Sequence, residues 1–62
     1  MKLFKYKNDI INLDGLRHIE YSHTNYKLIF YFQNGDKVEL YINDKDLKNI
    51  YEDIFKIVEN NT

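Results

Sequence analysis

The stretch Tyr26–Ile42, YKLIFYFQNGDKVELYI, decides the fold. Two runs rich in aromatic and branched residues flank Asn34-Gly35, the local signature of a β-hairpin. A two-residue loop there would pair Phe32 with Lys37 and Phe30 with Glu39, mixing aromatic and charged side chains on one face. A three-residue loop, Gln33-Asn34-Gly35, instead pairs Phe30 with Val38, Leu28 with Leu40 and Tyr26 with Ile42. Its geometry is a type I turn closed by a left-handed glycine bulge. Only this register gathers the apolar side chains on one side, and a one-residue slip would turn each of them to the other face. The second register is therefore the expected one.

The segment before it extends the sheet. With Tyr21 paired to Tyr26 across a Ser22–Asn25 turn, Ile19 opposes Leu28 and Glu20 opposes Lys27, an opposite-charge cross-strand pair. The expected inner face holds Ile19, Tyr21, Tyr26, Leu28, Phe30, Phe32, Val38, Leu40 and Ile42. The expected outer face holds His18, Glu20, Lys27, Ile29, Tyr31, Lys37, Glu39 and Tyr41. Ile29, Tyr31 and Tyr41 form its apolar part, ringed by charge. Three fates are open to that face: the N-terminal segment covers it, a partner covers it, or water does. Residues 3–13 carry Leu3, Phe4, Tyr6, Ile10 and Ile11, enough for one or two further strands at the sheet edge. Lys2, Lys5 and Lys7 alternate with apolar residues there, a pattern that discourages edge-to-edge aggregation.

Residues 44–59 read as a helix. Leu47, Ile50, Tyr51, Ile54, Phe55, Ile57 and Val58 recur at three- and four-residue spacings and fill one side. Lys45, Lys48, Asn49, Glu52, Asp53, Lys56 and Glu59 fill the other. Asn43 is placed to cap the N-terminus, and Asp44 and Asp46 fall in the first turn, where the macrodipole favours negative charge. Ile42 and Leu47 have the spacing of a hydrophobic staple. At 1.5 Å per residue the helix is a rod of roughly 24 Å, the right length to lie across a small sheet. The expected architecture is α+β: one antiparallel sheet of four to five strands within residues 2–42, with the C-terminal helix packed on one face.

Composition sets the outer bounds. The 62 residues make one domain, and a chain this short buries only about 60% of its unfolded surface, so its stability has little margin. It is 44% hydrophobic and 16% aromatic, which points to a compact fold. The net charge of −1 lacks the basic excess of a typical nucleic-acid binder. With no cysteine there is no disulfide framework and no thiolate zinc site. The opening MKLFKYKNDII has no apolar core of signal-peptide length, and the run LIFYF is too short to span a bilayer. The expected compartment is the cytoplasm. Asn, Lys and Ile occur eight times each, beside six Tyr and four Phe. All five have AT-rich codons, which suggests a low-GC bacterium or its phage.

No grouping of residues points to catalysis, a metal or a cofactor. His18 and His23 are the only histidines and their spacing across a strand-to-turn boundary gives no convergent ligand set. The carboxylates scatter along turns and the polar helix face, with no sign of a desolvated pair. Gly15 and Gly35 stand alone in turns, unlike a phosphate loop. Residues 44–62 carry five acids and three lysines, net −2, while the rest of the chain is net +1, an asymmetry able to guide docking to a basic partner.

The candidate working surface is the outer sheet face: Lys27, Ile29, Tyr31, Lys37, Glu39 and Tyr41. Tyr and Ile ringed by charge have the make-up of an interface core with a polar rim. Interleaved tyrosines and lysines also suit single-stranded nucleic acid, through base stacking and phosphate contacts, although Glu20 and Glu39 oppose that use. A homodimer whose exposed faces cover each other is the third reading. The sequence IINLDGLRHIEY, then LIFYFQNGDKVELYI, then an amphipathic helix resembles the small sheet-plus-helix proteins of low-GC bacteria and their phages. That group includes phage-encoded inhibitors of host defence such as anti-CRISPR proteins. The resemblance implies a small, metal-free, non-enzymatic protein that occupies the surface of a bacterial protein such as a CRISPR nuclease.

Overall fold

A computed structural model describes residues 1–60. The element order is β1 (Leu3–Tyr6), β2 (Asp9–Asn12), β3 (Leu16–Ser22), β4 (Lys27–Phe32), β5 (Lys37–Tyr41), a 3-10 turn (Asp44–Asp46) and helix α1 (Leu47–Asn60). The class is α+β, as the periodicities predict. The strands do not form one sheet, however. β1 and β2 make a two-stranded antiparallel sheet, and β3, β4 and β5 make a three-stranded one in that order. The chain divides accordingly into two compact units, one of Met1–Asp14 with the chain from Asp46 onward, the other of Gly15–Lys45.

In the first unit β1 and β2 pair with Leu3 opposite Asn12, Phe4 opposite Ile11, Lys5 opposite Ile10 and Tyr6 opposite Asp9. Lys7 takes a positive φ of 53° in the two-residue connection. Backbone N–H of Leu13 donates to the Lys2 carbonyl at 2.7 Å and extends the ladder. Period-2 alternation puts Phe4, Ile11 and Leu13 on the buried side and leaves Leu3 and Ile10 exposed. The N-terminal segment is thus a hairpin in its own right, not an added edge of the larger sheet. α1 runs beside β1 in this unit. Ile50 and Ile54 are its buried residues, with Leu47, Tyr51, Ile57 and Val58 half-buried. Phe55, expected within the buried stripe, sits on its flank and is 64% exposed. The acids ahead of α1 lie in the 3-10 turn, and Asp46 accepts a hydrogen bond from the Tyr6 hydroxyl at 2.8 Å.

In the second unit the β4–β5 register is the expected one. Phe30 opposes Val38 and Leu28 opposes Leu40. Beyond the strand ends, Ile42 N–H donates to the Tyr26 carbonyl at 3.0 Å. The loop is Gln33-Asn34-Gly35: Gly35 N–H donates to Phe32 O, Phe32 N–H to Asp36 O, and Gly35 has φ +97°. The Asn34 side chain accepts from the Asp36 backbone N–H at 2.9 Å, which fixes the turn locally. Leu28 and Phe30 are fully buried, and Phe32, Leu40 and Ile42 nearly so.

The β3–β4 register differs from expectation by two residues. Tyr21 opposes Leu28 and Ile19 opposes Phe30, so Glu20 faces Ile29 and Ser22 faces Lys27. The loop is His23–Tyr26, and Tyr26 turns the chain with φ 53° and is 56% exposed. A shift of two preserves the face on which each side chain lies, because the strand period is two. Membership of the inner face therefore holds for Ile19 and Tyr21, both half-buried, and fails for Tyr26. Val38 lies on that face but at its edge, 36% exposed. At the start of β3 a bulge lets Leu16 oppose Phe32 while His18 opposes Tyr31, with Arg17 as the extra residue. Tyr21 also ties its strand to the chain after β5, its hydroxyl donating to Asp44 Oδ1 at 2.6 Å.

Candidate functional site

The two registers of the three-stranded sheet lay its outer face out as a grid. His18, Tyr31 and Lys37 form one row across β3, β4 and β5. Glu20, Ile29 and Glu39 form the next, and Ser22, Lys27 and Tyr41 the third. Ile29 is at the centre with a glutamate on each side. All six residues named from the sequence, Lys27, Ile29, Tyr31, Lys37, Glu39 and Tyr41, share this face. Ile29, Tyr31 and Lys27 are half-buried by their neighbours on the central strand. Tyr41, on the edge strand, is 70% exposed. His18, Glu20, Lys37 and Glu39 on this face are exposed as well.

Both lysines of this face bind within it. Lys27 Nζ donates to Glu39 Oε1, and Lys37 Nζ lies 3.7 Å from Glu39 Oε2, so one carboxylate serves two lysines. The hydrogen bond from Lys27, reinforced by its charge, holds the Glu39 carboxyl below its usual range and lifts the Lys27 ammonium above its own. Across the strands, the Tyr31 hydroxyl donates to Glu20 at 3.0 Å, and this bond raises the Tyr31 pKa. Lys27 also stands 6.0 Å from the Tyr41 ring centroid, in cation–π range. The predicted Glu20–Lys27 pair is absent because the β3–β4 register carries Glu20 to Ile29; Glu39 takes Lys27 instead. The His18 ring lies tilted against Tyr31, centroids 5.5 Å apart.

One residue at this site was missed by the sequence reading. Arg17, Glu20, His18 and Tyr31 line a shallow open depression at the corner of the grid. Arg17 reaches it because it is the extra residue of the bulge. Simple alternation along β3 has no place for such a residue. His23 lies elsewhere, its ring edge-on to Tyr21 at 4.6 Å, so the two histidines do not converge. Among the described residues, no group of three or more His, Cys, Asp or Glu side chains is placed to hold a metal ion, and no helix is long and apolar enough to cross a membrane. Comparison of the chain with protein-family models, with curated proteins and with solved structures found no match in any of the three.

Proposed function

We propose that this chain is a non-enzymatic protein-binding module that works by occupying its partner's surface through the outer face of β3–β5. One observation carries the reading: the face has an apolar centre at Ile29 and Tyr31, and its two lysines already share the Glu39 carboxylate. Ile29, Tyr31 and Tyr41 are the anchors, and Lys27, Lys37 and Glu39 the rim that sets register. Interface affinity concentrates in a few apolar or aromatic anchors, while rim charges mainly steer orientation. The pairing also weighs against the runner-up, single-stranded nucleic acid. Its phosphates would have to take Lys27 and Lys37 from Glu39, with Glu20 nearby as a further repulsive charge. The proposed partner is a bacterial protein and the proposed role that of a phage or mobile-element inhibitor. This narrower part rests on amino-acid usage and on the resemblance of the element pattern.

The test is a nuclease-treated pull-down from a low-GC bacterial lysate, wild type beside an Ile29→Lys, Tyr41→Ala variant. Lysine at the centre sits between Glu20 and Glu39, so the exchange removes the anchor without adding like charge to its row. A defined protein held by wild type at 0.5 M salt and lost by the variant is the expected result. Retention by both moves the binding site off this face. Capture of nucleic acid that falls away steeply with salt favours the runner-up.

A further inference from the structure

We infer that β5 is a self-pairing edge: two copies of this chain join antiparallel through β5, centred on Val38, so that Lys37 of each copy lies opposite Glu39 of the other. β5 is the last strand of its sheet. The Phe32–Asp36 and Tyr26–Ile42 hydrogen bonds bracket the strand and set which backbone groups face inward. By alternation, Val38 and Leu40 bond to β4, while the N–H and C=O groups of Lys37, Glu39 and Tyr41 point away from the sheet. An edge of this kind is a ready template for another strand.

The two edges of this sheet are treated differently. β3 is interrupted by the Arg17 bulge, which twists an edge out of register. β5 runs without a bulge through Lys37–Tyr41, and the chain contains no proline to block it. Val38 belongs to the inner face yet is 36% exposed, whereas Leu28, Phe30 and Leu40 on the same face are buried. Its cross-strand neighbour Phe30 lies on the β4 side. A second β5 centred at this position supplies Val38 of the other copy, a β-branched cross-strand pair.

Charge selects the register. A lysine on an edge normally repels a second copy of itself. Here Glu39 lies two residues further along the same face, so an antiparallel copy centred on Val38 sets Lys37 opposite Glu39 twice. Centring on Glu39 sets two carboxylates level, and centring on Leu40 sets Glu39 against Tyr41. Only the Val38 register matches opposite charges. In it Lys37 and Glu39 form two backbone-bonded pairs, each exchanging both N–H···O bonds. An interface of two short strands is at the small end of the range, so the dimer is weak and depends on concentration. The pairing edge is the outward backbone of β5 and the binding face is centred on Ile29; the two share the side chains of Lys37 and Glu39, so the Val38→Cys cross-link, which lies on the inner face, tests the edge alone.

Because the chain has no cysteine, single substitutions report the register directly. Val38→Cys, Glu39→Cys, Leu40→Cys and Tyr41→Cys are oxidised mildly and the disulfide-linked dimer is followed with time. Directly opposed positions in an antiparallel pair fall within disulfide reach. Val38→Cys is expected to cross-link about tenfold faster than the other three, a difference of the size that a favoured register makes. Fastest linkage at Glu39 or Leu40, or equal slow linkage at all four, overturns the proposal. Sedimentation of wild type guards against a variant that fails to fold. A chain that stays monomeric up to about 1 mM overturns it as well. If wild type does dimerise, Lys37→Glu is expected to weaken it about tenfold, because each of two sites becomes a like-charge pair.

Discussion

Phe30 and Ile29 are neighbours on the central strand, and they have opposite fates. Phe30 is fully buried beside Leu28 and Phe32 on the inner face. Ile29 is half-buried on the outer face, between Glu20 and Glu39. β4 thus alternates between a side that holds the fold together and a side that leaves an apolar residue for use. The inner face is defined by what it excludes, since no polar or charged residue is buried among the described residues. The outer face is defined by polar groups that bond to one another around Ile29, Lys27 and Lys37 to Glu39 and Tyr31 to Glu20. A strand apolar on both faces is accounted for when each face has its own task.

The largest effect should come from the inner face. Phe30→Ala is expected to cost about 3–5 kcal/mol, by lost transfer energy and the cavity left behind. A domain of this length is stable by only about 3–9 kcal/mol in total. Chemical denaturation should therefore find the variant stripped of about a third or more of its stability. Ile29→Ala, one residue away, is expected to cost about 1–2 kcal/mol, because its side chain is only partly removed from water. Equal losses for the two would break the comparison, and would mean that the outer face is covered in solution.

A smaller effect tests the turn that sets the register. Gly35 has φ +97° and no atom within 4 Å of where a Cβ would lie. The penalty for Gly35→Ala is then purely one of backbone conformation, about 1–2 kcal/mol. Lys7 occupies the same left-handed region with a Cβ, at φ 53°. Lys7→Gly is expected to change stability by less than 1 kcal/mol, the relief of strain being offset by the freer unfolded chain. Thermal unfolding of the two variants side by side checks both. A Gly35→Ala variant as stable as wild type would mean that the three-residue loop can be rebuilt without cost.

The two turns of the three-stranded sheet also explain what could be read from the sequence and what could not. The β4–β5 pairing was legible because two signals agree: a glycine where a left-handed residue is required, and an apolar set that only one register gathers. At the β3–β4 connection, Ser22 to Tyr26 holds no glycine, and registers two apart sort the side chains identically onto faces. The outer-face residues were therefore legible while their partners were not, and Lys27 meets Glu39 where Glu20 was expected. The Arg17 bulge has no signal in an alternating pattern, so the corner of the site was missed. Phe55 fits the helical spacing of the buried stripe but lies at its margin, where spacing alone does not decide burial. The split into two sheets was hidden as well. The pattern of β1 and β2 is the same whether they extend a neighbour or pair only with each other.

The smallest expected effect is on the ionisation of the outer face, and it tests the pairing on which the functional proposal rests. Glu39 is held below its ordinary 4.5, first by the hydrogen bond from Lys27 and then by its charge, with Lys37 adding to both. A depressed carboxyl stabilises the fold above pH 4.5, and loses that contribution as the pH falls through its lower folded value. Lys27 is raised above 10.5 by the same bond, so its contribution is full below that pH and is lost as the pH climbs through the higher folded value. Tyr31 donates to Glu20 only while neutral; its pKa, raised above 10.0, puts the loss of that bond on the alkaline side too. The outer face should therefore keep its pairs through the neutral range and lose them at both extremes. Carbon-detected NMR of the Glu39 carboxyl is expected to give a midpoint below 4.5, moving back toward 4.5 in Lys27→Met. A midpoint already at 4.5 in wild type, and unmoved in Lys27→Met, would mean that Glu39 is unpaired in solution. The face would then present a free acidic row of Glu20 and Glu39 flanking Ile29, and its complement would be a basic segment in place of an apolar one.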